Sequence, residues 1–182
     1  MNLLKAHQAA LLELWQLRRA GRRLPARADF DVIELRPWLG DLHLLDVENG
    51  GADFRYRIFA TNISQYLGRE MTGKLMSQTP EPRLRALGLS SYREVIRAGV
   101  PYLIRRPTLV HGPLSYQTIR DYLVLPLGAD DTVIDRLLVL NDPRARARAS
   151  SDFVEFLPLD GETAPYTMSI DALVAGAVAF AA

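Results

Sequence analysis

The chain has 182 residues, 48% of them hydrophobic and 24% charged, which is the composition of a folded protein with room for one ordinary domain plus extensions. A formal net charge of +1 gives no bulk attraction to nucleic acid or to a membrane surface. The absence of cysteine excludes disulfides, thiolate catalysis and cysteine-ligated zinc or iron–sulfur sites, and it fits a reducing cytoplasm.

From Leu3 to Arg19 the pattern is that of an amphipathic helix. Leu4, Leu11 and Trp15 form one apolar stripe, Leu3, Ala10, Leu14 and Leu17 the next, and Glu13, Gln16 and Arg19 lie largely opposite. Two adjacent stripes are wider than packing on one sheet face needs, so Leu4, Leu11, Leu14 and Trp15 are the expected interface of a homodimer. Gly21 and Pro25 end the helix, and a linker through Asp29 to Pro37 is expected after it. Lys5, His7 and Glu13 interrupt the N-terminal segment, which does not read as a signal peptide. The apolar tract from Ala172 to Ala182 is too short to span a bilayer.

Two β-rich runs follow, at about 41–48 and 54–60, joined by Asn-Gly-Gly-Ala-Asp, whose first residues tolerate positive φ and favour a hairpin. Thr61 or Asn62 is the expected cap of a short helix ending near Leu67, with Gly68 and Gly73 as turn positions beyond it. A longer helix from about Glu81 to Ala98 buries Leu84, Leu87, Tyr92, Val95 and Ile96 and stops at Gly99. Three more strands are predicted at about 101–110, 115–127 and 132–141, turning at His111-Gly112-Pro113 and at Gly128-Ala129-Asp130-Asp131. Asp142 to Ser151 is arginine-rich, and the tail beyond it carries Pro158, Gly161 and Pro165 before an apolar helix from about Ser169.

Short turns between consecutive strands imply an antiparallel sheet, and the helical crossover between the second and third strands must cover one face of it. This order resembles the PAS fold and, more closely, the single-domain PAS-like proteins of alphaproteobacteria, a family formerly of unknown function. The resemblance is carried by WQLRRAGRRLPARADFD (Trp15 to Asp31), LRPWLGDLHLLDVE (Leu35 to Glu48) and above all FRYRIFATNISQYLGREMTGKLM (Phe54 to Met76). It implies an α+β fold with a five-stranded antiparallel sheet, short helices over one face and an N-terminal amphipathic helix. The chain then divides into a dimerisation helix (1–25), a PAS-like domain (26–142) and a C-terminal extension with an apolar helix (143–182). One departure is Phe59-Ala60, where the family often has a small residue followed by glycine.

Chemistry is sparse. His7, His43 and His111 have no metal-ligand spacing, and His43, flanked by Leu42 and Leu44, reads as a locally bonded strand residue. Among PAS proteins, adduct-forming flavin photosensing requires a cysteine, and haem ligation a histidine on or near the long helix, so the resemblance implies neither cofactor here. Ser90-Ser91 and Ser150-Ser151 lack a nucleophile-elbow setting, and Asp130-Asp131 has the character of hairpin chemistry. Arg144, Arg146 and Arg148 alternate with alanine without interleaved aromatics and read as a solvated run. The strand tyrosines and arginines are more suggestive. Side-chain alternation puts Phe54, Tyr56 and Ile58 on one face, and Tyr56, Ile58, Tyr102, Arg120 and Tyr122 are the expected ligand contacts in an apolar cup. The reading is a cytoplasmic, non-enzymatic sensory or interaction module that binds no metal or cofactor, is homodimeric, can take a small-molecule ligand and signals to a protein partner. The alternative is a small isomerase or hydrolase using His43 or a buried carboxylate, which would require acid and base to converge in one pocket.

Overall fold

Leu42–Glu48 (β1) and Asp53–Ile58 (β2) form the hairpin that the Asn-Gly-Gly sequence announces, with Asn49, Gly50 and Gly51 all at positive φ. The computed structural model describes residues 4–110, 116–142 and 153–172. The described α-helices are α1 (Ala6–Arg19), α2 (Val32–Leu35), α3 (Thr61–Leu67) and α4 (Pro82–Ala98), the further strands are β3 (Tyr102–Val110), β4 (Tyr116–Leu127), β5 (Arg136–Asn141), β6 (Phe153–Pro158) and β7 (Tyr166–Ser169), and short 3-10 turns lie between them. The turn at His111-Gly112-Pro113, the run carrying Arg144, Arg146 and Arg148, and the body of the C-terminal apolar segment lie outside the described residues.

The fold is α+β with one antiparallel sheet, but the sheet has seven strands where five were expected, in the order β2-β1-β5-β4-β3-β6-β7. The two additional strands come from the tail. Phe156 and Leu157 of β6 pair with Ile104 and Leu103 of β3, and β7 then pairs with β6, so β3 is an interior strand. A row of backbone donors and acceptors that a five-stranded sheet would leave at an edge is thereby satisfied.

Register sorts the side chains into two faces. Tyr102, Ile104 and Arg106 of β3 stand opposite Val124, Tyr122 and Arg120 of β4, and Tyr122 and Val124 stand opposite Asn141 and Val139 of β5, which places all of them with His43 on one face. Helix α4 covers this face, its Tyr92 meeting Phe54 edge-on at 5.4 Å. The other face carries Leu103, Leu123, Leu125, Leu138 and Leu140, all fully buried.

Helix α1 lies against β4, and its Trp15 indole N–H donates to the Pro126 carbonyl at 2.8 Å. Leu11 and Trp15, expected between two copies, are buried in the chain's own core, and Leu4 and Leu14 pack partly against it. The width of the apolar stripe is therefore used within the chain. The expected linker is also structured: Leu24, Phe30 and Leu35 join the core, and Asp31 caps α2 by accepting from the Ile33 N–H at 2.8 Å. Among the described residues no helix is long and apolar enough to cross a membrane.

Candidate functional site

A cavity of about 370 Å³ lies between the sheet face that bears His43 and the covering helices α3 and α4. Two local features open it. The first is Gly88 in mid-helix, where a Cβ would come within 2.7 Å of the Met76 sulfur, so the missing side chain lets the thioether lie against α4. The second is the way α3 ends. Gly68 (φ 64°) closes it in a left-handed turn, with the Arg69 N–H donating back to the Ser64 carbonyl at 3.1 Å. The chain then returns along the outer edge of β2: the Gly73 N–H donates to the Tyr56 carbonyl at 2.7 Å and the Tyr56 N–H to the Lys74 carbonyl at 3.0 Å. Gly73, at φ 81°, makes that reversal. Helix α3 begins one residue earlier than the side-chain caps suggested, because Ala60 occupies the cap position without a side-chain bond and Thr61 is the first helical residue.

At the rim, Arg69 and Glu81 form a two-pronged ion pair at 2.8 and 2.6 Å, which ties the loop after α3 to the start of α4. Deeper in, the floor is His43, Tyr56, Arg106, Arg120, Tyr122 and Asn141. Burial is the main cause that lowers the His43 pKa to about 3; the nearby Arg106 guanidinium adds to it and Glu70 opposes it weakly. Its Nδ1 accepts from the Ala60 N–H at 3.0 Å, so the neutral ring carries its proton on Nε2. Burial pushes the Tyr92 hydroxyl up to about 12 and the Tyr56 hydroxyl well above its ordinary value, so both remain donors at neutral pH. The walls above are mostly apolar, with Ile63, Leu67, Met71, Met76, Leu84 and Leu87, and Thr79 and Arg83 also line the space.

Of the residues expected to touch a ligand, Tyr56, Arg120 and Tyr122 line the cavity. Ile58 does not, and the cause is a bulge. Leu44 pairs with Ile58 but Leu45 pairs with Tyr56, which leaves Arg57 as an extra residue and turns Ile58 to the face opposite Tyr56. Phe59 takes the place meant for it, with its ring 4.9 Å from Tyr56 and 4.7 Å from His43. Tyr102 is on the correct face but lies along the sheet in a separate cluster, 6.2 Å from Phe156.

Arg106 is the main lining residue absent from the sequence-based expectation. The two-residue strand period contained the signal, since an inward Tyr102 implies an inward Arg106 and an outward Arg105. Arg105 indeed bonds Asp121 on the opposite face at 3.1 Å. Among the described residues no group of histidine and acidic side chains is arranged to hold a metal ion.

A family model described as PAS domain matches residues 4–138, which takes in α1 through the first half of β5. No curated protein and no solved structure matches the chain.

Proposed function

The chain belongs to the PAS domain family, and on that premise we propose that it is a non-enzymatic sensory module that binds a small molecule in the cavity beneath α4 and passes the outcome on through protein contacts. The observation that carries this reading is the cavity itself: a preformed, mostly apolar space of about 370 Å³ with a few polar groups converging on its floor. Binding without turnover is supported by the state of those groups. A histidine whose pKa is about 3 takes up no proton near neutral pH, and the rim carboxylate, Glu81, is already engaged by Arg69. Among the described residues that line the cavity, no acid and base are thus poised together over one point.

Self-association remains part of the proposal, on other residues than first expected. Arg18 of α1 and Glu34 of α2 are ion-paired, and the large apolar side chains of their sequence neighbours Leu17 and Ile33 are 66% and 76% exposed. They are the residues offered to a second copy or to a downstream protein.

Native mass spectrometry of the purified protein tests both parts at once, because one spectrum reads the oligomer and any retained molecule. A thermal-shift screen of metabolites then ranks candidate ligands. A ligand specific for the folded state adds about 2.7 kcal/mol at a hundredfold excess over its Kd. Catalytic consumption of a hit, lost in His43→Ala, would replace this reading with an enzyme.

A further inference from the structure

Arg106 and Arg120 are register partners, directly opposite each other on β3 and β4 and on the face that α4 covers. Their side chains are only 6% and 7% exposed. Like charges directly across a strand pair repel, and each buried cation carries a desolvation penalty. The surroundings offset this only in part. The Arg106 guanidinium lies 4.1 Å from the centre of the Tyr122 ring, and the Arg120 guanidinium 4.7 Å from that of Tyr66. The acidic residues nearby are committed elsewhere: Glu81 to Arg69 at the rim, Glu70 to the Thr72 N–H and hydroxyl, and Asp121 to Arg105 on the opposite face. Arg106 Nη1 and Arg120 Nε have no hydrogen-bond partner among the described residues.

We propose that this pair is an anion site, and that the cavity takes a small organic acid as its carboxylate, its charge held at Arg106 and Arg120 and its apolar body against α3 and α4. The proposal rests on the ligand-binding reading above and adds the ligand's chemical class. A carboxylate supplies the missing counter-charge and acceptor lone pairs to two guanidinium groups at once. The His43 Nε2–H and the tyrosine hydroxyls are further donors on the same floor. The side chains above, Ile63, Leu67, Met71, Met76, Leu84 and Leu87, fit an aliphatic or aromatic body, with Thr79 and Arg83 among the further polar lining. A phosphate ester fits less well. Phosphate sites draw on backbone N–H groups at helix starts and glycine turns, whereas the start of α4 at this rim bears Glu81 and the wall glycine, Gly88, is in mid-helix.

The test is calorimetric titration of the full chain with benzoate, phenylacetate and octanoate, each beside its neutral counterpart (benzyl alcohol, phenylethanol, octanol), and with inorganic phosphate. The wild type is expected to bind at least one carboxylate more tightly than its alcohol. Arg120→Met should weaken that carboxylate by roughly tenfold or more while leaving the alcohol unchanged, and Arg106→Lys, which keeps the charge, should weaken it less than Arg106→Met. Circular dichroism of each variant establishes that it is folded. Equal binding of acid and alcohol would overturn the anion assignment and leave the ligand-binding reading standing. Phosphate binding as strongly as the carboxylates would overturn the organic-acid class. Failure of every probe overturns the proposal, and the ligand-binding reading is then decided separately by whether native mass spectrometry finds a retained molecule.

Discussion

The Nδ1 of His43 accepts a hydrogen bond from the backbone N–H of Ala60 at 3.0 Å, joining the first strand to the cap position of α3. The bond requires an unprotonated Nδ1. Burial in the cavity floor disfavours the charged ring, and the nearby Arg106 guanidinium adds to this, so the His43 pKa falls from 6.5 to about 3.

Between those two values the unfolded chain binds a proton that the folded chain does not. The stability tied to His43 is therefore complete above pH 6.5 and declines as pH falls toward 3, by up to about 1.4 kcal/mol per pH unit. His43→Gln keeps an acceptor for the Ala60 N–H and removes the titration. In urea unfolding, the wild type should lose about 2 kcal/mol more than this variant on going from pH 6.5 to about pH 5. Parallel pH curves for the two proteins would show that His43 is not held neutral.

Gly73→Val should cost on the order of 1–3 kcal/mol. A Cβ at this position meets nothing within 4 Å, so the cost arises from the positive φ and not from a clash. Gly73→Asn should then be clearly milder, since asparagine tolerates the left-handed region. Equal melting temperatures for wild type and Gly73→Val would rule out the strain.

Trp15→Phe deprives the Pro126 carbonyl of its donor and should destabilise by about 1–3 kcal/mol. Leu11→Ala, which empties a fully buried site, should cost about 2–5 kcal/mol. By contrast, Leu17→Glu combined with Ile33→Glu changes exposed positions and should leave folding stability within about 0.5 kcal/mol per site while weakening self-association measured by light scattering. If the double variant associates as the wild type does, those residues are not the contact.

Removing one of two opposed buried cations should not harm the ligand-free fold. Arg120→Met loses a ring contact of about 0.5–2 kcal/mol and gains relief from repulsion and desolvation. Its stability without ligand is expected within about 1 kcal/mol of the wild type, or above it. A loss greater than about 3 kcal/mol in denaturant unfolding would make Arg120 a structural residue instead.

Apart from α2, which lies in the stretch expected to be a linker, the helices and strands from α1 to β5 were legible in the sequence to within a few residues, because their signals are local. Asn-Gly-Gly marks a hairpin, Gly68 and Gly99 stop helices, and period-two runs mark strands through contacts between residues near one another in the chain. The order of those elements, with the Phe54–Met76 motif, was enough to identify the family. What depended on pairing between distant residues was decided only by the tertiary structure. Residues 153–158 and 166–169 are short runs among Pro158, Gly161 and Pro165, and they are strands because β3 presents an open edge some fifty positions earlier. Ile58 breaks its own alternation because β1 pairs across a bulge at Arg57. Trp15 is a core residue because Pro126 lies beside it, and the opposition of Arg106 and Arg120 exists only in the register of β3 against β4. Local propensity acts over a few residues, whereas the face on which a side chain lies, and what it meets there, is set by how the whole sheet is assembled.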